Sequence, residues 1–103
     1  MIDNAALEKF CQQLAEKKAA FWLVKGFKHA PPPVFSFEPG KKYARIVEAD
    51  GNNGKIRNAW CFVDLSNGNI LKAAGWSAPA KGPRGNIANG VEDVGDYGPH
   101  YLR

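Results

Sequence analysis

Aromatic and cationic side chains recur at alternate positions between residues 43 and 76, where the sequence has the period-two pattern of β-strands. Alternate side chains of a strand point to the same face, so one face of a sheet would collect rings and cations together. Rings offer surfaces on which unpaired bases stack, and cations meet phosphates, so this combination suits single-stranded nucleic acid. The side chains expected on that face are Tyr43, Arg45, Trp60, Phe62, Lys72 and Trp76.

A buried core is the alternative interpretation of the same pattern. Large aromatic side chains are commonly packed inside a protein, and here they would lie beneath a helix or beneath a proline-rich connection. The alternation also places Arg57 on the opposite face, with small apolar residues such as Ala59 and Cys61 that are expected under a helix.

A second set of anion-binding residue types lies in "GWSAPAKGPRGNI", residues 75–87. Lys81, Arg84 and Asn86 alternate there with glycine and proline, so backbone amides could approach an anion closely. The segment lacks the glycine–lysine spacing of a P-loop and the glycine pattern of a dinucleotide site, and a charged edge loop is the alternative. The candidate nucleic-acid-binding residues are therefore Tyr43, Arg45, Arg57, Trp60, Lys72, Trp76, Lys81, Arg84 and Asn86.

Catalytic chemistry has little support in the sequence. His29 and His100 lie outside any motif with serine, cysteine or paired carboxylates, and Asp64 suits the start of a turn. Cys11 and Cys61 have apolar neighbours and are expected to be free, buried thiols. We expect a protein without enzyme activity, metal ion or cofactor, because clustered ligands are missing.

The charge distribution favours an anionic partner. The chain has 103 residues and a net charge of +4, yet residues 17–85 alone carry +8, while the C-terminal residues are mildly acidic. Scattered solubilising lysines are the alternative explanation. No apolar run approaches the length of a membrane span, and no signal peptide is visible, so we expect the protein in the cytoplasm.

The elements that would position these residues begin with an amphipathic helix over residues 3–19, which Asp3 caps. Its apolar stripe comprises Leu7, Phe10, Cys11 and Leu14, and extends to Lys18. Residues 20–27 are expected to form a first strand or a packed connector. The prolines of "HAPPPVFSFEPG" predict a rigid, extended crossover.

Three strands follow, in "KKYARIVEA", "KIRNAWCFVDL" and "ILKAAGW", separated by the turn segments "DGNNG" and "SNGN". The pattern predicts an α+β fold, in which an antiparallel meander of three or four strands packs against one N-terminal helix. Residues 1–90 are expected to form a single domain, and residues 91–103 a C-terminal arm or tail.

From Gly40 to Ile87 the sequence resembles a group of small uncharacterised proteins of tailed bacteriophages. The similarity rests on "GKKYARIVEA" and on "FVDLSNGNILKAAGWSAPAKGPRGNI", with its Phe-Val-Asp, its Trp, its Ala-Pro-Ala-Lys and its Arg-Gly-Asn. The resemblance implies a phage gene acting inside a bacterial cell, and it implies no activity.

The leading hypothesis is a phage-type protein that binds nucleic acid, preferably single-stranded DNA, through the aromatic and basic sheet face. One alternative is an interaction protein that inhibits or modulates a host protein, with Trp76 and Tyr97 as anchors. Another is a module that binds a small nucleotide in the glycine-rich segment. Oligomeric state has no signature in the sequence.

Overall fold

A computed structural model describes residues 2–25, 31–90, 94–95 and 98–99. One helix precedes a five-stranded antiparallel sheet in which every strand pairs with the next in the chain. The α+β class is confirmed, but three or four strands is wrong, because the sheet has five. The elements are α1 (Asn4–Lys25), β1 (Val34–Pro39), β2 (Tyr43–Ala49), β3 (Arg57–Asp64), β4 (Asn69–Ala73), β5 (Pro79–Asn86), a 3-10 turn (Ile87–Asn89), β6 (Val94–Gly95) and β7 (Gly98–Pro99).

Helix α1 begins as the sequence predicts and ends later. The Asp3 side chain accepts a hydrogen bond from the Ala6 amide at 2.9 Å, which satisfies one of the free amides of the first turn. The prediction that the helix stops at residue 19 is wrong. Residues 20–25 continue it, because no glycine or proline interrupts the chain there. The helical spacing also brings the Lys18 Nζ to 5.4 Å from the centre of the Phe21 ring, a contact that supports the added turns.

The apolar stripe of α1 packs on one face of the sheet and forms the core. Its members are buried as predicted, and Lys18 is buried with them, its Nζ 3.6 Å from a Glu48 carboxylate oxygen. That pairing offsets the cost of burying both charges. The residues packed together are Leu7, Phe10, Cys11, Leu14, Ala44, Ile46, Trp60, Cys61, Val63 and Ile70.

Both edge strands arise from segments that were not expected to be strands, one predicted as an extended crossover and the other as a loop. Within the proline-rich crossover, residues 34–39 pair with β2 as β1, and within the glycine-rich segment, residues 79–86 pair with β4 as β5. A strand at the edge of a sheet leaves one row of amides without a strand partner, so proline fits there. Pro39, Pro79 and Pro83 all lie on these two edges.

A β-bulge in β3 exchanges the two faces of that strand. Ile46 pairs with Cys61, but the next residue of β2, Val47, pairs with Ala59, so Trp60 is an extra residue. Trp60 and Cys61 both lie in the core beneath α1, as the adjacent residues of a bulge can. Residues before the bulge are turned over, so Arg57 lies on the opposite face, which we call the outer face.

Most of the predicted tail lies outside the described residues. Two short pieces are described, β6 and β7, which pair antiparallel with each other. Strand β7 lies close to β3 and β4.

Candidate nucleic-acid interface

Four side chains from four elements meet on the outer face, and we call them the arginine–tryptophan cluster: Glu38, Arg45, Arg57 and Trp76. The Glu38 carboxylate accepts hydrogen bonds from Arg45 Nη1 at 2.7 Å and from Arg57 Nη2 at 3.0 Å. The Arg45 guanidinium carbon lies 4.4 Å from the centre of the Trp76 ring, and that of Arg57 lies 5.4 Å from it. The cluster thus joins an aromatic ring to two cations.

Sheet register explains how the cluster forms. Glu38 lies directly opposite Arg45 in the β1–β2 pair, and the bulge brings Arg57 to the same face. Trp76 belongs to the β4–β5 turn, residues 74–78, which is closed by a hydrogen bond from the Ala74 amide to the Ala78 carbonyl at 3.0 Å. Arg45 Nε donates to the Trp76 carbonyl at 2.7 Å, so the turn is held over the outer face.

Glu38 sets the charge state of the cluster. The hydrogen bonds from Arg45 and then Arg57 lower the pKa of its carboxyl below the usual value, because both favour the ionised form. One carboxylate therefore faces two guanidinium groups, and the cluster keeps a net positive charge. An incoming phosphate would have to share these arginines with Glu38.

A pocket of about 300 Å³ adjoins the cluster, between the β1–β2 turn and the β4–β5 turn. The tight β1–β2 turn is closed by a hydrogen bond from the Gly40 amide to the Tyr43 carbonyl at 2.8 Å, and it carries the exposed Lys41 and Lys42. Lys42 Nζ lies 5.3 Å from the centre of the Tyr43 ring. The lining residues are Glu38, Pro39, Gly40, Lys41, Lys42, Tyr43, Arg45, Phe62, Ser77 and Pro79.

The structure brings four of the predicted binding residues together: Tyr43, Arg45, Arg57 and Trp76. It does not bring Trp60 to them. The placement of Trp60 on the exposed ring face is wrong, because the bulge turns it toward α1, where it is only 8% exposed. There its ring meets Phe35 edge to face, with ring centres 5.5 Å apart.

Lys72 is also separated from the cluster. The expected arrangement had Leu71 in the core and Lys72 beside Phe62. Leu71 is buried as expected, but it pairs directly with Phe62, while Ile70 pairs with Val63 in the core beneath α1. Alternation along β4 therefore directs Lys72, which is exposed, to the face that bears α1.

The segment around Lys81, Arg84 and Asn86 forms a strand rather than an anion-binding loop. Lys81 is exposed on β5, and Arg84 is half-buried where β5 is irregular against β4. The Asn86 side chain accepts from the Ala88 amide at 2.9 Å and donates to the Asn67 carbonyl at 2.9 Å. Asn86 thus joins β5 to the β3–β4 turn, and contact with a ligand remains a prediction for all three residues.

Glu38, Lys41 and Lys42 were missed as site residues. The sequence gives a signal for the two lysines, since "EPGKKY" places adjacent cations directly after a proline–glycine turn that precedes a strand. It gives none for Glu38, because recognising that residue requires knowing that the proline-rich segment pairs with β2.

The two cysteines are free and buried, as predicted. Burial, followed by the nearby Glu8 charge, raises the pKa of Cys11 to about 11. Burial also raises the pKa of Cys61 well above its usual value. Both thiols therefore stay protonated near neutral pH and are poor nucleophiles.

Within the described ranges, no group of three or more His, Cys, Asp and Glu side chains is arranged to hold a metal ion. His29 and His100 lie outside those ranges, as does Tyr97. In the part of the chain that the structure describes, no helix is long and apolar enough to cross a membrane.

The architecture defines the class: a small α+β protein in which one helix covers a five-stranded antiparallel meander. By sequence, the chain belongs to DUF7717, a family of unknown function whose model matches residues 3–94. No curated protein and no solved structure matches the chain.

Proposed function

We propose that the protein binds single-stranded nucleic acid, most simply single-stranded DNA, through the outer face, and that it acts as a binder rather than an enzyme. The observation that carries this proposal is the position of Trp76. Its side chain is 42% exposed while two guanidinium groups lie over its ring. An exposed ring beside cations offers one base a stacking surface and its phosphates a counter-charge.

The neighbouring pocket adds further cationic and aromatic side chains to this surface. Lys41 and Lys42 add two exposed cations, and Tyr43 adds a second ring. Stacking on an isolated ring requires a base whose face is uncovered, so the arrangement favours an unpaired strand over a duplex. Lys81 and Arg84 on β5 are proposed as additional phosphate contacts.

The proposed setting follows from the resemblance of residues 40–87 to proteins of tailed bacteriophages. A phage-encoded protein would meet its nucleic acid in the cytoplasm of the host bacterium.

Tryptophan fluorescence tests the proposal directly. A single-stranded oligonucleotide at low salt should quench the emission of Trp76, a duplex of the same length should quench it less, and high salt should abolish the effect. Trp76→Ala lacks the reporter ring, so its affinity is measured by anisotropy of a labelled oligonucleotide; it should be weaker by about fivefold to a hundredfold, the range expected for one base stacked on a ring. Trp22→Phe, a change on α1, is the matched control and should bind normally. Absence of oligonucleotide binding at low salt would refute the proposal.

A second candidate function is binding of a host protein, and the exposed end of α1 favours it. Leu23 and Val24 are more than four-fifths exposed in the last helical turn. Adjacent exposed apolar side chains are typical of protein interfaces. A partner that is retained after nuclease treatment at high salt, and lost in the Leu23→Glu variant, would support this function.

A further inference from the structure

We propose that the pocket beside the arginine–tryptophan cluster holds one nucleotide unit, with its phosphate at the lysine rim and its base against the aromatic floor. This inference rests on the proposed function, which it makes more specific. One end of the pocket is cationic and the other is apolar and aromatic, which matches the phosphate and the base of a nucleotide.

The rim is cationic and accessible. Lys41 and Lys42 are exposed, and among the residues that the structure describes neither forms an ion pair. Lys42 contributes only the smallest of the effects that lower the pKa of Asp64, after two hydrogen bonds from Ser66. Arg45, by contrast, is already engaged by Glu38. The lysine pair is therefore the part of the pocket whose charge a phosphate can neutralise without displacing a carboxylate.

The floor is aromatic and apolar. Phe62 lines the bottom of the pocket but is only 3% exposed, so it supplies an apolar contact rather than an open face for stacking. Tyr43 forms part of the wall and Pro79 another part, while the Ser77 hydroxyl offers a polar contact to a base edge. A planar base could pack against the half-buried Tyr43 ring and Pro79 above this floor, because stacking on a ring and a proline needs no specific hydrogen bonding.

The size of the pocket limits the ligand to one unit. Its volume of about 300 Å³ is at the lower end of small-molecule sites. Successive units of a strand would therefore have to lie outside it, over Trp76, whose turn forms one border of the pocket through Ser77.

The test uses the full chain, labelled with nitrogen-15, and three probes: adenosine monophosphate, adenosine and inorganic phosphate. Adenosine monophosphate should shift the amide resonances of Lys42, Tyr43 and Ser77, and should bind about fivefold to a hundredfold more tightly than phosphate alone. It should also displace a labelled single strand. Because both lysines are exposed, the Lys41→Gln/Lys42→Gln variant should fold normally and lose this binding.

Two variants of the wall separate stacking from charge. Tyr43→Phe keeps the ring and should bind adenosine monophosphate normally, whereas Tyr43→Leu should lose most of the advantage over phosphate. The exchange of Lys9 and Lys55 for Gln is the control, because it removes the same charge from exposed positions that do not line the pocket.

Each outcome decides something different. Binding of the strand without shifts or competition from adenosine monophosphate overturns the pocket assignment and leaves the proposed function standing. Equal binding of phosphate and adenosine monophosphate also overturns it, since the base then contributes nothing. Binding of the mononucleotide without the strand overturns only the proposed function, and binding of neither overturns both.

Discussion

Replacing Lys41 and Lys42 together with glutamine should make strand binding less sensitive to salt by a calculable amount. The outer face presents four cations to a strand, Lys41, Lys42, Arg45 and Arg57. Each phosphate that is neutralised on a single strand contributes about −0.7 to the slope of log affinity against log salt. Within a strand, the unit in the pocket is flanked by two phosphates, one for each rim lysine, so the four cations can neutralise four phosphates. That gives a slope of about −2.8 for the natural protein and about −1.4 for the double variant.

The consequence is large enough to measure by anisotropy of a labelled oligonucleotide. Between about 50 and about 200 mM salt, these contacts alone should lower the affinity of the natural protein about 50-fold and that of the double variant about sevenfold, and any contacts of Lys81 and Arg84 would add equally to both. Glu38 partly neutralises the arginines in both proteins, so the difference between the two slopes does not depend on it.

The control distinguishes local contact from the general field of a basic protein. Exchange of Lys9 and Lys55 for Gln lowers the net charge equally, at exposed positions on α1 and in the β2–β3 turn. Its slope should remain near that of the natural protein. If both double variants reduce the slope by the same amount, the lysine rim makes no specific phosphate contacts and the proposed location of the interface is wrong.

Three further predictions concern the fold around the site. Trp60→Ala should lower the free energy of unfolding by about 3–5 kcal/mol in urea denaturation, and a loss below about 1 kcal/mol would contradict its burial in the core. Since the pKa of Glu38 is lowered in the folded state, its contribution to stability is complete above the ordinary glutamate pKa and is lost as the pH falls through the lowered value. Glu38→Gln should therefore lose less stability on acidification than the natural protein in thermal unfolding, and identical acid sensitivity would speak against the cluster. Cys11 and Cys61 should react with a thiol reagent at about pH 8 only after denaturation, whereas rapid reaction of the folded chain would show an exposed thiol.

The sequence predicted the elements with clear periodicity. The apolar stripe of α1 and the alternation in β2 and β3 depend on local spacing, which is visible without tertiary context. Both edge strands were missed because proline and glycine suppress the strand pattern. Proline and glycine are tolerated in an edge strand, where half of the backbone groups have no strand partner. Whether a segment becomes an edge strand depends on the tertiary structure, so the local sequence does not indicate it.

The candidate site was predicted in part for the same reason. Tyr43 and Arg45 precede the bulge on a regular strand, so alternation assigned them to the correct face. On β3 the alternation is interrupted at Trp60. The sequence pattern therefore placed Trp60 on the outer face and Arg57 beneath the helix, whereas Trp60 lies in the core and Arg57 lies on the outer face. A bulge is set by pairing with the neighbouring strand, since one residue of β2 has to face two of β3, and a single strand does not reveal it.

The extra residue in β3 allows Trp60 to lie in the core while Arg57, three residues earlier, lies on the outer face. The number of residues between them therefore links the core to the candidate interface. Removing one residue from positions 58–60 would restore regular pairing with Arg57 still opposite Ala49 on the outer face, but the Trp60 ring would be deleted or turned out of the core. The β2–β3 turn, held by Asp50 through the amides of Asn52 and Ile56, lies at one end of the strand and outside this constraint. Members of the family should therefore tolerate insertions and deletions in the turn, while the length of β3 between Arg57 and Cys61 stays invariant.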